Sequence, residues 1–128
     1  MTTVRPAVPG EYVAIRSVLE GALLEVESGL LRRSAVLAAV DDGRILGGLV
    51  LRGCEIEAVA VRPGRRGRGI GSKLVRAAMA RRPSVAAGFD PSLRRFYASL
   101  GFEIECADGR CRGVHRPVGT GDRTPERP

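Results

Sequence analysis

Val59-Ala60-Val61-Arg62-Pro63-Gly64-Arg65-Arg66-Gly67-Arg68-Gly69-Ile70-Gly71-Ser72-Lys73-Leu74 joins two kinds of sequence pattern. Before it, apolar residues come in short runs separated by turn residues. Val36 to Val40 ends at Asp41-Asp42-Gly43, Ile45 to Leu51 ends at Arg52-Gly53, and Cys54 to Val61 leads into the quoted stretch. Three such runs joined by tight turns predict an antiparallel meander. After it, Ile70, Leu74, Val75, Ala77, Ala78 and Met79 predict a helix from about Gly69 to Arg82, which Pro83 stops. The glycine- and arginine-rich segment is therefore a strand-to-helix turn. The first amides of a helix have no partners within it, and the helix dipole adds positive potential there, so such an end binds phosphate. Gly67, Gly69 and Gly71 carry no Cβ and let an anion approach the backbone, while Arg65, Arg66 and Arg68 supply charge. The junction suits a diphosphate-bearing ligand. Its Gly67-x-Gly69-x-Gly71 spacing is not the dinucleotide fingerprint, and it has no Gly-Lys-Ser/Thr of a P-loop.

The remaining elements follow outward from this junction. Thr3 to Ala7 reads as a short edge strand ended by Pro9-Gly10. From Glu11, the residues Ile15, Val18, Leu19, Ala22 and Leu23 keep helical spacing, and a second short helix is expected over 26–33. Downstream, Val85 to Phe89 is a strand. Asp90-Pro91 opens a helix that runs to about Leu100, where Gly101 ends it. Phe102 to Cys106 and Arg112 to Val118 form a last hairpin around Asp108-Gly109. The strand–helix–strand unit in mid-chain implies one parallel pair in an otherwise antiparallel sheet. The expected fold is α+β: one domain over residues 1–118, with a mixed six- to seven-stranded sheet between helices on both faces. Residues 119–128 are rich in Gly, Pro and charge and read as a disordered basic tail.

The chain has 128 residues, enough for one domain with its own core. It has no Trp, three Phe and two Tyr, so Val, Leu, Ile and Ala must fill the core. The net charge of +7 is uneven, −2 over residues 1–61 and +9 over 62–128. Lys73 is the single Lys among 21 basic residues, a bias of composition that weakens charge as evidence for nucleic acid. Few aromatic residues remain to stack on bases, which also argues against a nucleic-acid-binding module. No apolar run is long enough to span a membrane, and the N-terminus has no apolar leader, so a cytoplasmic location is expected. Cys106 and Cys111 flank the last hairpin turn, and together with Cys54 they are expected to be reduced thiols. One His and no Cys pair at ligand spacing give no metal site.

Arg66-x-x-Gly69-x-Gly71, preceded by Val61-x-Pro63, resembles the Gln/Arg-x-x-Gly-x-Gly/Ala signature of the GNAT superfamily of acetyl-coenzyme A-dependent N-acyltransferases. Tyr97-x-x-Leu100-Gly101-Phe102 is similar to that superfamily's second hallmark, and element order matches over roughly residues 3–118. The resemblance implies acetyl-coenzyme A as co-substrate. It implies that Arg66, Gly67, Arg68, Gly69, Ile70, Gly71 and Ser72 hold the pyrophosphate, and that a bulged strand offers the backbone of Val59, Ala60 and Val61 to the pantetheine arm. It implies Tyr97 beside the coenzyme sulfur, where its hydroxyl protonates the departing thiolate. Read from the residues alone, Tyr97 equally packs with Phe96 and Phe102. The sequence departs from the signature at Asp90, where Asn is common, and Asp90 also suits a helix cap.

An attacking amine must lose a proton to a base or to water. Glu55 and Glu57 lie on the strand before the cradle, on one face unless a bulge intervenes, and either is a candidate base. Each could instead face solvent or pair with an arginine. His115 reads as a surface residue. The implied reaction moves an acetyl group from acetyl-coenzyme A directly to a primary amine of a small molecule or peptide in a ternary complex. The alternative is a catalytically idle, acetyl-coenzyme A-binding regulatory domain. Oligomeric state is open, with a homodimer among the options.

Overall fold

In the computed structural model, residues 1–22, 24–27 and 29–116 are described. Seven strands form one sheet: β1 (Thr3–Pro6), β2 (Ala35–Asp41), β3 (Arg44–Arg52), β4 (Glu55–Val61), β5 (Val85–Phe89), β6 (Glu103–Ala107) and β7 (Arg110–His115). Their spatial order is β1-β2-β3-β4-β5-β7-β6. Every neighbouring pair is antiparallel except β4 and β5. The meander and the parallel pair predicted from the turns and the mid-chain helix are both present.

Three α-helices cover the sheet: α1 (Tyr12–Gly21), α2 (Ile70–Met79) and α3 (Arg94–Ser99). The helix over α1 buries Ile15, Val18 and Leu19, as its periodicity requires. These side chains pack with Val36, Ala38, Val50, Ala58 and Ala60 on one sheet face. On the other face Ile70, Leu74, Val75 and Ala78 of α2 and Tyr97 of α3 pack with Leu37, Leu49, Leu51, Ile56, Ala87 and Phe89. Each such buried aliphatic side chain contributes up to about 1.5–3 kcal/mol. Gly48 of β3 sets how closely α1 approaches, because a Cβ there would lie 2.8 Å from Ile15 Cγ2.

Two β-bulges shape the sheet. The register shift between Val50 and Leu51 leaves Glu57 of β4 without an opposite residue. As a result Ile56 joins the α2 core while Ala58 joins the α1 core, although they are two residues apart. The expectation that Glu55 and Glu57 share a face is corrected here: the extra residue resets the alternation. The second shift, between Ala39 and Val40, leaves Leu46 as the extra residue of β3.

The expected helix over 26–33 is not formed; a single 3₁₀ turn at Leu31–Arg33 stands there. Gly29 sits at φ +84°, outside the helical region. Leu30 N–H bonds back to the Glu27 carbonyl, and Arg16 Nη1 takes the Val26 carbonyl. The helix expected from Asp90 is a 3₁₀ turn at Pro91–Leu93 followed by α3, with the Asp90 carboxylate accepting from Ser92 N–H at 2.9 Å. That contact holds the Asp90 carboxyl below its usual range. The reduced state expected for the hairpin cysteines is also corrected. Cys106 and Cys111 face one another across β6 and β7 and are joined as a disulfide, leaving Cys54 free and exposed. Leu23, the end of the predicted last strand and the predicted tail at 119–128 lie outside the described residues.

Candidate functional site

β4 and β5 pair only at Glu55–Ala86 and Ile56–Ala87, with one further bond from Ala86 N–H to the Cys54 carbonyl. Beyond the bulge the two strands separate. β3 still pairs with β4 through Val61. Arg62 N–H bonds to Leu46 on the β3 side, so by alternation Val59 and Val61 turn their N–H and C=O groups into the gap. The Val61 carbonyl there accepts from Arg66 Nε at 3.0 Å. The rest of this open strand edge is free to pair with a ligand's amides.

At the end of β4 a 3₁₀ turn at Pro63–Arg65 leads to α2. Gly67 and Gly69 have φ of +78° and +79°, a region that side chains rarely adopt, and Gly69 is the residue that starts α2. No side chain caps this helix. Its first amides therefore remain available, as phosphate binding requires.

A cleft of about 610 Å³ runs along these elements. Val59, Ala60, Val61, Arg66, Gly67, Gly69, Ile70, Gly71, Ser72 and Tyr97 line it, all residues that the sequence pointed to. Arg68 of the expected set does not line it, whereas Arg65 does. Sequence reasoning missed Ala22, Leu93 and Phe96. Leu93, Phe96 and Tyr97 stand at i, i+3 and i+4, a spacing that could have placed them on one face. Leu93 is 43% exposed, an unusual state for a large apolar side chain that nothing else covers. The lining comes from both sheet faces, Ala22 and Ala60 from the α1 side and Ile70 and Tyr97 from the α2 side. The cleft thus crosses the sheet through the β4–β5 gap.

Tyr97 is 2% exposed and stacks on Phe89 with ring centroids 4.3 Å apart. Phe96 and Phe102 meet it edge-on at 5.0 and 5.1 Å. Burial pushes its phenol up to about 12. No hydrogen bond from a described residue reaches its hydroxyl. The ring packs in the aromatic core, as one reading of the sequence expects, and it also lines the cleft.

The two candidate bases lie apart from the cleft lining. Glu57 is the exposed bulge residue. Glu55 forms a two-pronged pair with Arg112 of β7, its oxygens 2.9 and 3.0 Å from the guanidinium. That hydrogen bonding and the carboxylate charge raise the Arg112 guanidinium further. His115 packs beside Phe102 with ring centroids 5.6 Å apart and does not line the cleft.

The structure resembles several solved acetyltransferases. An IAA acetyltransferase from Bacillus cereus superposes with a TM-score of 0.69 at 20% identity, over 91% of this chain and 100% of that one. A GNAT family acetyltransferase from Elizabethkingia anophelis with acetyl-CoA bound gives 0.69 at 16% identity, over 91% and 98%. The ribosomal-protein-S18-alanine N-acetyltransferase from Escherichia coli gives 0.71 at 15% identity, over 89% and 91%. At these identities the likeness shows the fold. A search of curated protein sequences finds no match. The model of the acetyltransferase (GNAT) domain matches residues 32–104, a span holding the meander, the cradle, α2 and Tyr97. The chain belongs to the GNAT acetyltransferase domain family.

Proposed function

We propose that the protein is an N-acetyltransferase that binds acetyl-coenzyme A in the cleft and transfers the acetyl group directly to a primary amine of a small molecule or peptide. The observation that carries this reading is the β4–β5 gap. Its open strand edge, unpaired with β5 at Val59 and Val61, leads through the Pro63–Arg65 turn to the left-handed glycines and the uncapped start of α2. A long ligand with amides in its middle and a diphosphate beyond them fits that sequence of features. Amides of Gly69, Ile70 and Gly71 and the Arg65 and Arg66 guanidinium groups hold the diphosphate, and Ser72 borders it. The solved Elizabethkingia relative, which has acetyl-CoA bound, supports the choice of ligand.

The co-substrate supplies an acetyl thioester. The neutral amine attacks the thioester carbonyl, and collapse of the tetrahedral adduct expels a thiolate. Tyr97 is the acid of this reading. Its phenol stays protonated through the physiological range because burial raises it, and its hydroxyl has no described protein partner to compete for it. Glu55 is the base of this reading, directly or through water, with Glu57 the alternative on the same strand.

One observation favours the second reading, an acetyl-coenzyme A-binding module without turnover: both Glu55 oxygens are engaged by Arg112. Thiol release from acetyl-coenzyme A, measured against a broad amine panel, separates the two. Amine-dependent release supports the enzyme, and saturable binding with no release for any amine supports the idle module. No helix among the described residues is long and apolar enough to cross a membrane. With acetyl-coenzyme A as co-substrate, this reading expects a cytoplasmic protein, with a homodimer among the options.

A further inference from the structure

On its sheet face α1 lies over β3 and β4. Beyond β4, the same face of β5 and β7 presents Ala86, Gly88, Arg110, Arg112 and Val114, with Glu55 at its near edge. Gly88 is exposed in mid-strand. A Cβ placed on it would lie 3.7 Å from Arg110 Nη2, so a guanidinium overhangs a floor with no side chain. Arg110 makes no salt bridge with a described residue, although its charge helps to hold the Asp90 carboxyl low. Arg112 stands opposite Gly88 on one side and opposite Glu105 on the other. It passes over Glu105, its direct cross-strand neighbour, and reaches across β5 to Glu55. Strands lie about 4.8 Å apart, so this pair spans the whole width of β5 at the point where β4 leaves it.

This is a pair of unlike charges on the sheet face that carries α1, beside a glycine floor overhung by Arg110. Its side chains are 34% exposed at Glu55 and 58% exposed at Arg112. An ion pair so exposed contributes little to stability, and a ligand that satisfies both partners can replace it. A carboxylate arriving over Gly88 would meet Arg112 and Arg110, in the forked geometry that guanidinium groups favour. An amine on the same ligand would be left facing the released Glu55.

Resting on the acetyl-transfer reading above, we propose that the acceptor is an amino acid with a free carboxylate, and that Arg112 is a specificity-determining residue. The carboxylate takes Arg112 from Glu55. The freed Glu55 then accepts the proton of the substrate ammonium, and the neutral amine attacks the thioester. In this arrangement the ion pair is the resting state of the acceptor site, and the right substrate is the one that opens it. Arg110 supports the same carboxylate without touching Glu55.

The test compares α-amino acids with their C-terminal amides as acceptors, by thiol release from acetyl-coenzyme A, in the wild type and in Arg112→Gln and Arg112→Lys. The proposal expects kcat/KM for the acids to exceed that for the amides by about tenfold or more, the scale of one charge-assisted contact. Arg112→Gln should erase that ratio by raising KM for the acids, while the amides, which then meet an unpaired Glu55, keep or gain turnover, and Arg112→Lys should restore part of the ratio. Thermal stabilisation of each variant by acetyl-coenzyme A reports that the cleft is intact. Amides used as well as acids, an acid-to-amide ratio unchanged by Arg112→Gln, or no turnover of any acid by protein that binds acetyl-coenzyme A would each overturn the proposal. Failure of the wild type to bind acetyl-coenzyme A overturns the cofactor reading instead, which keeps the two failures distinct.

Discussion

Replacing Tyr97 with Phe separates the packing role of the ring from the chemical role of its hydroxyl. The ring is held by Phe89, Phe96 and Phe102, and Phe at 97 keeps every one of those contacts. The hydroxyl has no described partner, so removing it leaves no donor or acceptor behind. A buried hydroxyl without a partner costs about 1–3 kcal/mol, less where water in the cleft reaches it. Tyr97→Phe should therefore be as stable as the wild type at pH 7, or more stable by up to about 1 kcal/mol, a rise in Tm of a few degrees. The alkaline limb gives a larger signal. Burial moves the phenol from 10.0 to about 12 in the folded protein. Its folded value is raised, so its contribution is complete below pH 10. Above pH 10 the unfolded phenol ionises first, and stability falls as pH rises toward about 12. Two pH units correspond to about 2.7 kcal/mol. Urea denaturation of both proteins at pH 9 and pH 12 should show wild type losing about 2–3 kcal/mol relative to Tyr97→Phe, with Tyr12 common to both. In the same variant kcat should fall by about 10²–10⁴-fold, the range for loss of a general acid. A difference in stability that is flat from pH 9 to 12, or a loss above about 1 kcal/mol at pH 7, would refute the buried, unpartnered phenol. Unchanged kcat would remove Tyr97 from the acid role.

Three further outcomes are expected. Gly69→Ala places a Cβ on a residue at φ +79°, so it should cost about 1–2 kcal/mol in chemical denaturation and weaken acetyl-coenzyme A binding by calorimetry; unchanged affinity would show that the turn does not shape the cradle. Glu11 is held down at about 2 by hydrogen bonds from Arg5 and then from Val8 N–H, which ties β1 to the start of α1. Its folded value is depressed, so the stabilisation is present above about 4.5 and is lost as pH falls toward about 2. Glu11→Gln should lose about 1 kcal/mol at pH 7 and converge on the wild type near pH 2 by denaturant titration; equal stability at both pH values contradicts the pair. Thiol titration of the unreduced, denatured protein should count one thiol, Cys54, and three after reduction; three without reductant would place the hairpin cysteines in the dithiol form.

Local signals carried most of the fold. The turns at Asp41-Asp42-Gly43 and Arg52-Gly53 bounded three strands, and the change from alternating to helical spacing at Gly69 placed α2 within a few residues. The glycines of the cradle were legible because a left-handed backbone before a helix needs them. What escaped depends on partners distant in sequence. The bulge at Glu57 exists only in the register with β3, so alternation counted along β4 alone put Glu55 and Glu57 on one face. Arg112 lies two strands from Glu55 in space, a pairing no local pattern encodes. The apolar residues at Val26, Leu30 and Leu31 do keep helical spacing, but Gly29 and the Arg16 contact to Val26 break the backbone ladder they suggested. The hairpin cysteines face each other because Asp108 and Gly109 both adopt positive φ and set the register of β6 against β7.

A crystal structure grown with acetyl-coenzyme A would show directly where the ligand lies. Pyrophosphate density is expected against the backbone amides of Gly69 to Gly71, pantetheine density along Val59 to Val61, and the sulfur beside the Tyr97 hydroxyl. Density elsewhere on the protein, or an empty β4–β5 gap at saturating ligand, would contradict that placement.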